Sequence, residues 1–213
     1  MDSVKKRSAR ARAVYECLDP LYTNAKTALR FKDAFQLLIA TILSAQCTDK
    51  QVNQVTPGLF RKYKNPEDFA SASDEILQED IRPTGFFRNK ATSIKGCSRA
   101  LLDLYDGEVP GTMEELLQLP GVGRKTANCV LGAAFGLPGV VVDTHVKRLA
   151  LRLALTENQN PDKIEKDIEA LLPRERWRRF SDILIYHGRA MCKARKPDHE
   201  NCAVRRLCPS ADL

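Results

Sequence analysis

The sequence predicts an all-α protein, and three observations carry that prediction. Apolar residues recur at helical spacing along most of the 213 residues. Helix-start signatures accompany them. Asp33 with Gln36, Thr48 with Gln51 and Thr112 with Glu115 each pair a capping side chain with a reciprocal residue three positions on, and Asn160-Pro161 puts a cap before a proline at the first helical position. No stretch shows convincing period-two alternation, the mark of a half-buried strand.

Taken in order, the first helix, 4–18, carries Lys5, Lys6, Arg7, Arg10 and Arg12 with no apolar stretch after them, so it reads as a basic helix and not as a secretory signal. The second, 33–46, opens at Asp33 and holds the longest apolar run, about Ala34 to Ala45, too short to span a bilayer. Thr48 opens a third over 49–62, and the pattern continues in helices over 74–80 and 87–105. Thr112 starts 113–118, and a glycine hairpin leads into 124–135. Val140-Val141-Val142 is too short and isolated to build a sheet; it reads as a buried lead into a helix over 144–155, capped by Asp143 or Thr144. Asn160-Pro161 starts 162–172, and 176–191 is the last helix. There is no internal repeat and no low-complexity segment.

The formal net charge is +7 and the isoelectric point is near 9.1, a basic excess that suits a polyanionic partner. Cysteines fall into two groups. Cys17, Cys47, Cys97 and Cys129 are scattered along apolar helical patterns, where buried free thiols are usual. Cys192, Cys202 and Cys208 crowd into the tail with His199 between them, which points to metal and not to disulfides in a chain without a secretory signal. The chain is expected in the cytoplasm, at the nucleoid.

Leu119-Pro120-Gly121-Val122-Gly123-Arg124-Lys125-Thr126-Ala127 is the most informative stretch. It reads as a helix end, a glycine hairpin and a new helix. Gly121 and Gly123 permit positive φ and leave no Cβ in the way, so backbone N–H groups can approach an anion, helped by the dipole of the helix that follows. A backbone held there would be held regardless of base sequence. Lys125 breaks a local rule, because a cation is disfavoured in the first turn of a helix. Two uses fit: it neutralises a phosphate, or it is an amine kept unprotonated for nucleophilic attack. In Val142-Asp143-Thr144-His145, an Asp before a helix is most often an N-cap; the same carboxylate can also face a cleft and take a proton or stabilise positive charge. His145, one step inside that helix, reads as a surface or groove residue.

Leu43-Ser44-Ala45-Gln46-Cys47-Thr48-Asp49, the Leu119–Ala127 hairpin, Val142-Asp143-Thr144-His145 and the cysteine-rich tail stand in the order seen in the endonuclease III family of helix-hairpin-helix DNA glycosylases, and the resemblance covers about residues 10–208. It implies a two-lobed fold: a six-helix domain over 29–137 containing the helix-hairpin-helix, and an iron–sulfur cluster domain made of 1–28 plus 138–213. DNA is then expected across the cleft between them, with Lys125 and Asp143 on facing walls. The implied partner is duplex DNA carrying an oxidised, ring-saturated pyrimidine; no membrane is implied, and the chain is expected to be a monomer.

The resemblance assigns roles residue by residue. Lys125 matches the nucleophilic lysine, which attacks C1′, expels the base, forms a Schiff base and nicks the strand by β-elimination. Only the neutral amine reacts, so helix dipole and a desolvated pocket are expected around it. Asp143 matches the aspartate that assists base loss. Gln46 matches the residue inserted opposite the flipped nucleotide, and Thr84-Gly85-Phe86-Phe87 matches the wedging loop, with Phe86 as wedge and Phe87 as core. Gly121, Gly123, Arg124 and His145 complete the implied DNA contacts there.

The tail departs from the family pattern. Where C-x6-C-x2-C-x5-C holds a [4Fe–4S] cluster, this chain has Cys192-x6-His199-x2-Cys202-x5-Cys208. Four ligand-type residues in register suggest a [4Fe–4S] cluster with His199 as second ligand, and a neutral donor in place of thiolate raises its potential. Two rivals remain: a three-cysteine cluster with His199 swung away, and a Cys3His zinc site. Residues 174–208 hold ten Lys/Arg against four acidic residues, a platform for phosphates in which Lys193, Arg195 and Lys196 stand out. Another base specificity, or a non-catalytic DNA-binding or redox-sensing protein built on the same hairpin and cluster, are the alternatives.

Overall fold

Every regular element in the computed structural model, which describes residues 2–211, is helical. The chain divides into two compact units, 28–137 and 1–27 with 138–213. No helix among the described residues is long and apolar enough to cross a membrane.

In the unit 28–137 the centre is α2 (Ala34–Leu43), in which every residue from Leu37 to Leu43 is buried. Asp33 starts it by accepting from the Gln36 N–H at 2.8 Å. Around it lie α3 (Asp49–Lys62), α4 (Pro66–Ser71), α5 (Asp74–Ile81), α6 (Phe87–Tyr105), α7 (Met113–Leu116) and α8 (Arg124–Phe135). Helices α6 and α8 pack directly on α2, and α4 packs on α6. Leu37, Leu38, Ile39, Leu43, Phe69, Ile94 and Leu101 are fully enclosed, each contributing about 1.5–3 kcal/mol of transfer free energy.

Two differences from the sequence expectation have local causes. Helix α2 ends at Leu43 and not at 46, because Ser44 turns back on Thr41 and Gln46 is left-handed (φ 52°). Helix α4 is additional to the six expected in this stretch. Its start, Asn65-Pro66, is the same cap-and-proline signature as Asn160-Pro161, with Asn65 accepting from the Asp68 N–H at 2.9 Å.

The other unit joins the chain's two ends. Its helices are α1 (Val4–Leu18), α9 (Thr144–Arg152), α10 (Pro161–Leu171) and α11 (Trp177–Ala190). Ala11, Val14 and Leu18 of α1 share a core with Val146, Leu149, Ile164, Ile168, Phe180 and Leu184. Val140 to Val142 are buried and form no strand, as expected. Helix α9 stops at Arg152, short of 155, through a Schellman arrangement: Ala154 is left-handed (φ 49°) and the Leu155 N–H bonds to the Ala150 carbonyl at 2.8 Å.

Carbonyls at that helix end attract cations from α1. Arg10 donates to the Leu153 and Ala154 carbonyls at 3.1 and 3.0 Å, and Arg7 to Leu155 at 3.3 Å. Arg179 of α11 binds Asp19 at 2.6 Å and the carbonyls of Tyr22 and Ala25. Charge that reads in sequence as seeking a partner is thus partly consumed inside the fold.

Candidate functional site

In the unit 28–137 the hairpin is pinned by buried Leu119 and Val122 and closed by the Val122 N–H on the Leu119 carbonyl at 3.1 Å. The two glycines have different reasons to be there. Gly121 has φ 78°, and a Cβ on it would lie 2.6 Å from the Ser93 Cβ, so the fold itself demands glycine. Gly123 does not use positive φ, contrary to the sequence expectation. It is extended (φ −99°, ψ 175°), and a Cβ there would meet nothing within 4 Å. Nothing in its surroundings within the chain requires glycine there. As N-cap it offers no side chain to α8, whose first N–H groups have no intrahelical acceptor.

Lys125, the second residue of α8, is exposed. The desolvated surrounding expected for its amine is not seen: Lys125 stands exposed ahead of the first buried residues of α8, Ala127 and Asn128. Arg124 beside it is half-buried.

Two more candidates in this unit are strained. Gln46 (φ 52°) and Phe86 (φ 49°) are both left-handed, and both are exposed. Phe86 is 59% exposed, whereas Phe87 packs against the core with Arg82 and Arg88 about its ring. Phe86 thus points an apolar ring at solvent from a conformation that costs about 1–3 kcal/mol. Behind the loop, buried Lys90 donates its Nζ to the Thr84 carbonyl at 2.8 Å, and burial holds its amine below the ordinary lysine range.

In the other unit, Asp143 caps α9: its Oδ1 accepts from the His145 and Val146 N–H groups, each at 2.8 Å. Its Oδ2 has no hydrogen-bond partner among the described residues. Cap and open carboxylate oxygen coexist in one side chain. His145 is half-buried, with Nδ1 3.1 Å from an Arg148 nitrogen, and burial holds its imidazole below the usual histidine range. Arg148 goes on to the carbonyls of Gly188 and Cys192, both at 2.9 Å. Gly188 permits that crossing, since a Cβ on it would lie 3.0 Å from the His145 Cβ.

Cys192, His199, Cys202 and Cys208 line one cavity, with Leu149, Leu153 and Val204 as its apolar wall. No cysteine is paired in a disulfide. Burial raises the thiols of Cys202 and Cys208, so both stay protonated unless a metal claims them. Two nitrogens reach ligand-type sulfurs: Arg152 donates to the Cys192 Sγ at 3.2 Å, and the His187 Nε2 lies 3.4 Å from the Cys202 Sγ. His187 is 2% exposed, and burial lowers it to about 4, leaving a neutral imidazole. Among the described residues, no three His, Cys, Asp or Glu side chains converge as one metal ion requires.

Of the ten cations over 174–208, Arg178 is paired with Asp182 at 3.0 Å and Arg179 with Asp19, so these two hold the fold. Lys193, Arg195 and Lys196 are exposed.

The fold and the hairpin together define a class, the HhH-GPD superfamily of base excision DNA repair proteins, whose family model matches residues 39–174. The endonuclease III of Synechocystis sp. is 52% identical over 96% of this chain and 94% of its own length; that of Bacillus subtilis is 43% identical over 90% of each. A solved structure of a trapped endonuclease III–DNA covalent intermediate has a TM-score of 0.94 and 39% identity, covering 100% of this chain and 98% of that one. A thermostable thymine-DNA glycosylase follows with a TM-score of 0.87 and 26% identity, over 96% of this chain and 97% of its own. The chain belongs to the endonuclease III family, a family of DNA glycosylases with AP lyase activity.

Lys90, Arg148, Arg152 and His187 do not stand out in the sequence. Each is a polar residue whose partner is distant or backbone. The one usable signal is His187 itself, a histidine at a core position, in register with Phe180, Ile183 and Leu184 of α11.

Proposed function

We propose that this chain removes oxidised, ring-saturated pyrimidines from duplex DNA and then cleaves the strand through a Schiff base on Lys125. The observation that carries the reading is the pairing of an exposed lysine with open space at Gly123, two residues before it, in a chain whose fold matches a trapped covalent endonuclease III–DNA complex. Gly121, Gly123 and Arg124 hold a phosphate while the Lys125 amine attacks C1′: the N–C1′ bond forms, the glycosidic bond breaks, and the departing base takes the bonding pair and a proton. Bound DNA supplies the enclosure that the free protein does not. Asp143, oriented by its own N-cap bonds, accepts a proton or stabilises the positive sugar through Oδ2. Gln46 and Phe86 fill and prise open the stack the nucleotide leaves. Lys193, Arg195 and Lys196 hold phosphates electrostatically, with His145 as a lesser contact.

The same reading puts a [4Fe–4S] cluster on Cys192, His199, Cys202 and Cys208. The donors fit it. All four line one cavity, and the family resemblance favours the cluster; a Cys3His zinc site, with four donors within about 2.0–2.3 Å of a single ion, is the rival that metal and sulfide analysis separates from it. When bound, such a cluster would tie residues 192–208 together beside the cavity wall that α9 lines through Leu149, and would add a one-electron centre.

Borohydride trapping on abasic-site duplex tests the chemistry. Wild type is expected to give a covalent adduct, and Lys125→Ala none while still binding the duplex. Equal adduct from both removes Lys125 from the role of nucleophile.

A further inference from the structure

The cavity that holds the candidate cluster ligands contains a second imidazole, His187, and its surroundings differ from those of His199. His187 is fully engaged: the Tyr22 hydroxyl lies 3.0 Å from Nδ1 and the Cys202 sulfur 3.4 Å from Nε2. The Tyr22 ring meets the imidazole edge-on, with centroids 5.8 Å apart. Tyr22 is itself fixed, since its carbonyl accepts from Arg179 at 2.8 Å and its N–H bonds back to Leu18. No ring nitrogen of His199 has a hydrogen-bond partner among the described residues.

We infer that Tyr22 and His187 form a relay that positions and tunes the proposed cluster through the Cys202 sulfur. The inference rests on the cluster reading above. A metal-bound thiolate can only accept, so the His187 proton must be on Nε2. Nδ1 then carries a lone pair, and the Tyr22 O–H must donate to it. Tyr22 thus fixes the tautomer and the ring plane, the arrangement by which partners outside the ligand set orient and tune a metal site. An N–H···S bond withdraws electron density from the sulfur and favours the more negative, reduced cluster, so it raises the reduction potential and makes oxidation harder. The two histidines then have separate roles, with His187 committed to donation and His199 the imidazole available to iron.

The test uses full-length protein purified without oxygen. Iron and sulfide are counted first, then the cluster potential is measured by protein-film voltammetry without DNA, together with the rate of bleaching in air. His187→Leu is expected to retain iron and to lower the potential by on the order of tenfold in the redox equilibrium constant, about 59 mV for one electron. It should also bleach faster. Tyr22→Phe, which keeps both rings, should shift the potential the same way by less, and His187→Gln, which keeps an N–H donor, should recover most of the loss. An unchanged potential in His187→Leu overturns the inference alone. A shift there with none in Tyr22→Phe overturns the relay. Loss of iron in His187→Leu but not in His199→Ala makes His187 the ligand and overturns it as well. Absence of iron and sulfide from wild type removes the cluster reading and the inference together.

Discussion

Adding one methyl group to each hairpin glycine should separate what the fold needs from what the DNA needs. At Gly121 the backbone is left-handed, which costs a side chain about 1–2 kcal/mol. The new Cβ would also sit 2.6 Å from the Ser93 Cβ and 2.9 Å from its Oγ, an overlap relieved only by shifting α6 or the turn, at about 1–3 kcal/mol. Gly121→Ala should therefore lose about 2–5 kcal/mol, or roughly 4–20 °C in melting temperature. At Gly123 the backbone is already extended and the Cβ enters open space. Alanine is a poorer N-cap than glycine by about 0.5–1 kcal/mol, and it offsets that by restricting the unfolded chain by about 0.4–1 kcal/mol. Stability should stay within about 1 kcal/mol of wild type.

Binding should reverse the order of interest. Under the proposed function, a methyl group on Gly123 would stand where a phosphate oxygen meets the first N–H groups of α8. Losing one charge-assisted hydrogen bond costs about 1.5–3 kcal/mol, about 10- to 100-fold in affinity. Thermal melting by circular dichroism gives the first quantity. Fluorescence anisotropy on a duplex with an uncleavable abasic analogue, at one fixed salt concentration, gives the second. If Gly123→Ala binds within about twofold of wild type, or melts as early as Gly121→Ala, the division of labour between the two glycines is wrong.

Three further outcomes follow from the geometry. Asp143→Asn keeps an N-cap and should leave stability nearly unchanged while slowing base excision on the order of 100-fold; Asp143→Ala should in addition lose about 1 kcal/mol in denaturant melts. Lys90 is held below 10.5 by burial, so the folded state bears a desolvation penalty while the amine is charged, and that penalty fades as pH rises from the lowered folded value to 10.5. The stability of wild type relative to Lys90→Met should therefore increase with alkaline pH, and a flat difference in urea melts between pH 7 and 10.5 refutes the assignment. Replacing Lys193, Arg195 and Lys196 together by alanine should reduce the slope of log affinity against log salt by about 1 for each phosphate no longer held, uniformly across DNA sequences.

What is legible in the sequence is what local chemistry decides. Asp33, Thr48, Thr112, Asn160 and Asp143 all cap helices, because a cap needs only its own side chain and an N–H two or three residues on. Helix ends are less legible. Ala154 terminates α9 without the glycine that usually marks a left-handed cap, so the expected helix runs three residues too far. Lys125 and Asp143 stand out because each sits in a contiguous motif. The state of the arginines cannot be read in the same way. Arg7, Arg10 and Arg179 are bound to groups more than a hundred residues away, and nothing in a charge count separates them from exposed Lys193. His187 is hidden for the same reason: its partners, Tyr22 and Cys202, lie 165 and 15 residues from it.

Among the described residues, the four non-glycine positions with positive φ divide by what compensates their strain. Asp106 and Ala154 end helices, and each is followed by the long-range N–H bond that accompanies such an ending, Gly107 to Leu101 and Leu155 to Ala150. The fold explains those two. Gln46 and Phe86 have no such compensation: the Cys47 N–H bonds only to Ser44, and Phe86 starts α6 with no side-chain cap and an exposed ring. Strain of about 1–3 kcal/mol with no return inside the protein is expected where the return comes from a ligand. Replacing either residue by glycine relieves the left-handed penalty, so Gln46→Gly and Phe86→Gly should each leave the protein as stable as wild type or more so, by up to about 1 kcal/mol. Both should slow excision from duplex DNA far more than they slow strand cleavage at a pre-formed abasic site in a single strand, where no stack has to be opened or filled. Equal losses on the two substrates would mean that these side chains are not what enters the duplex.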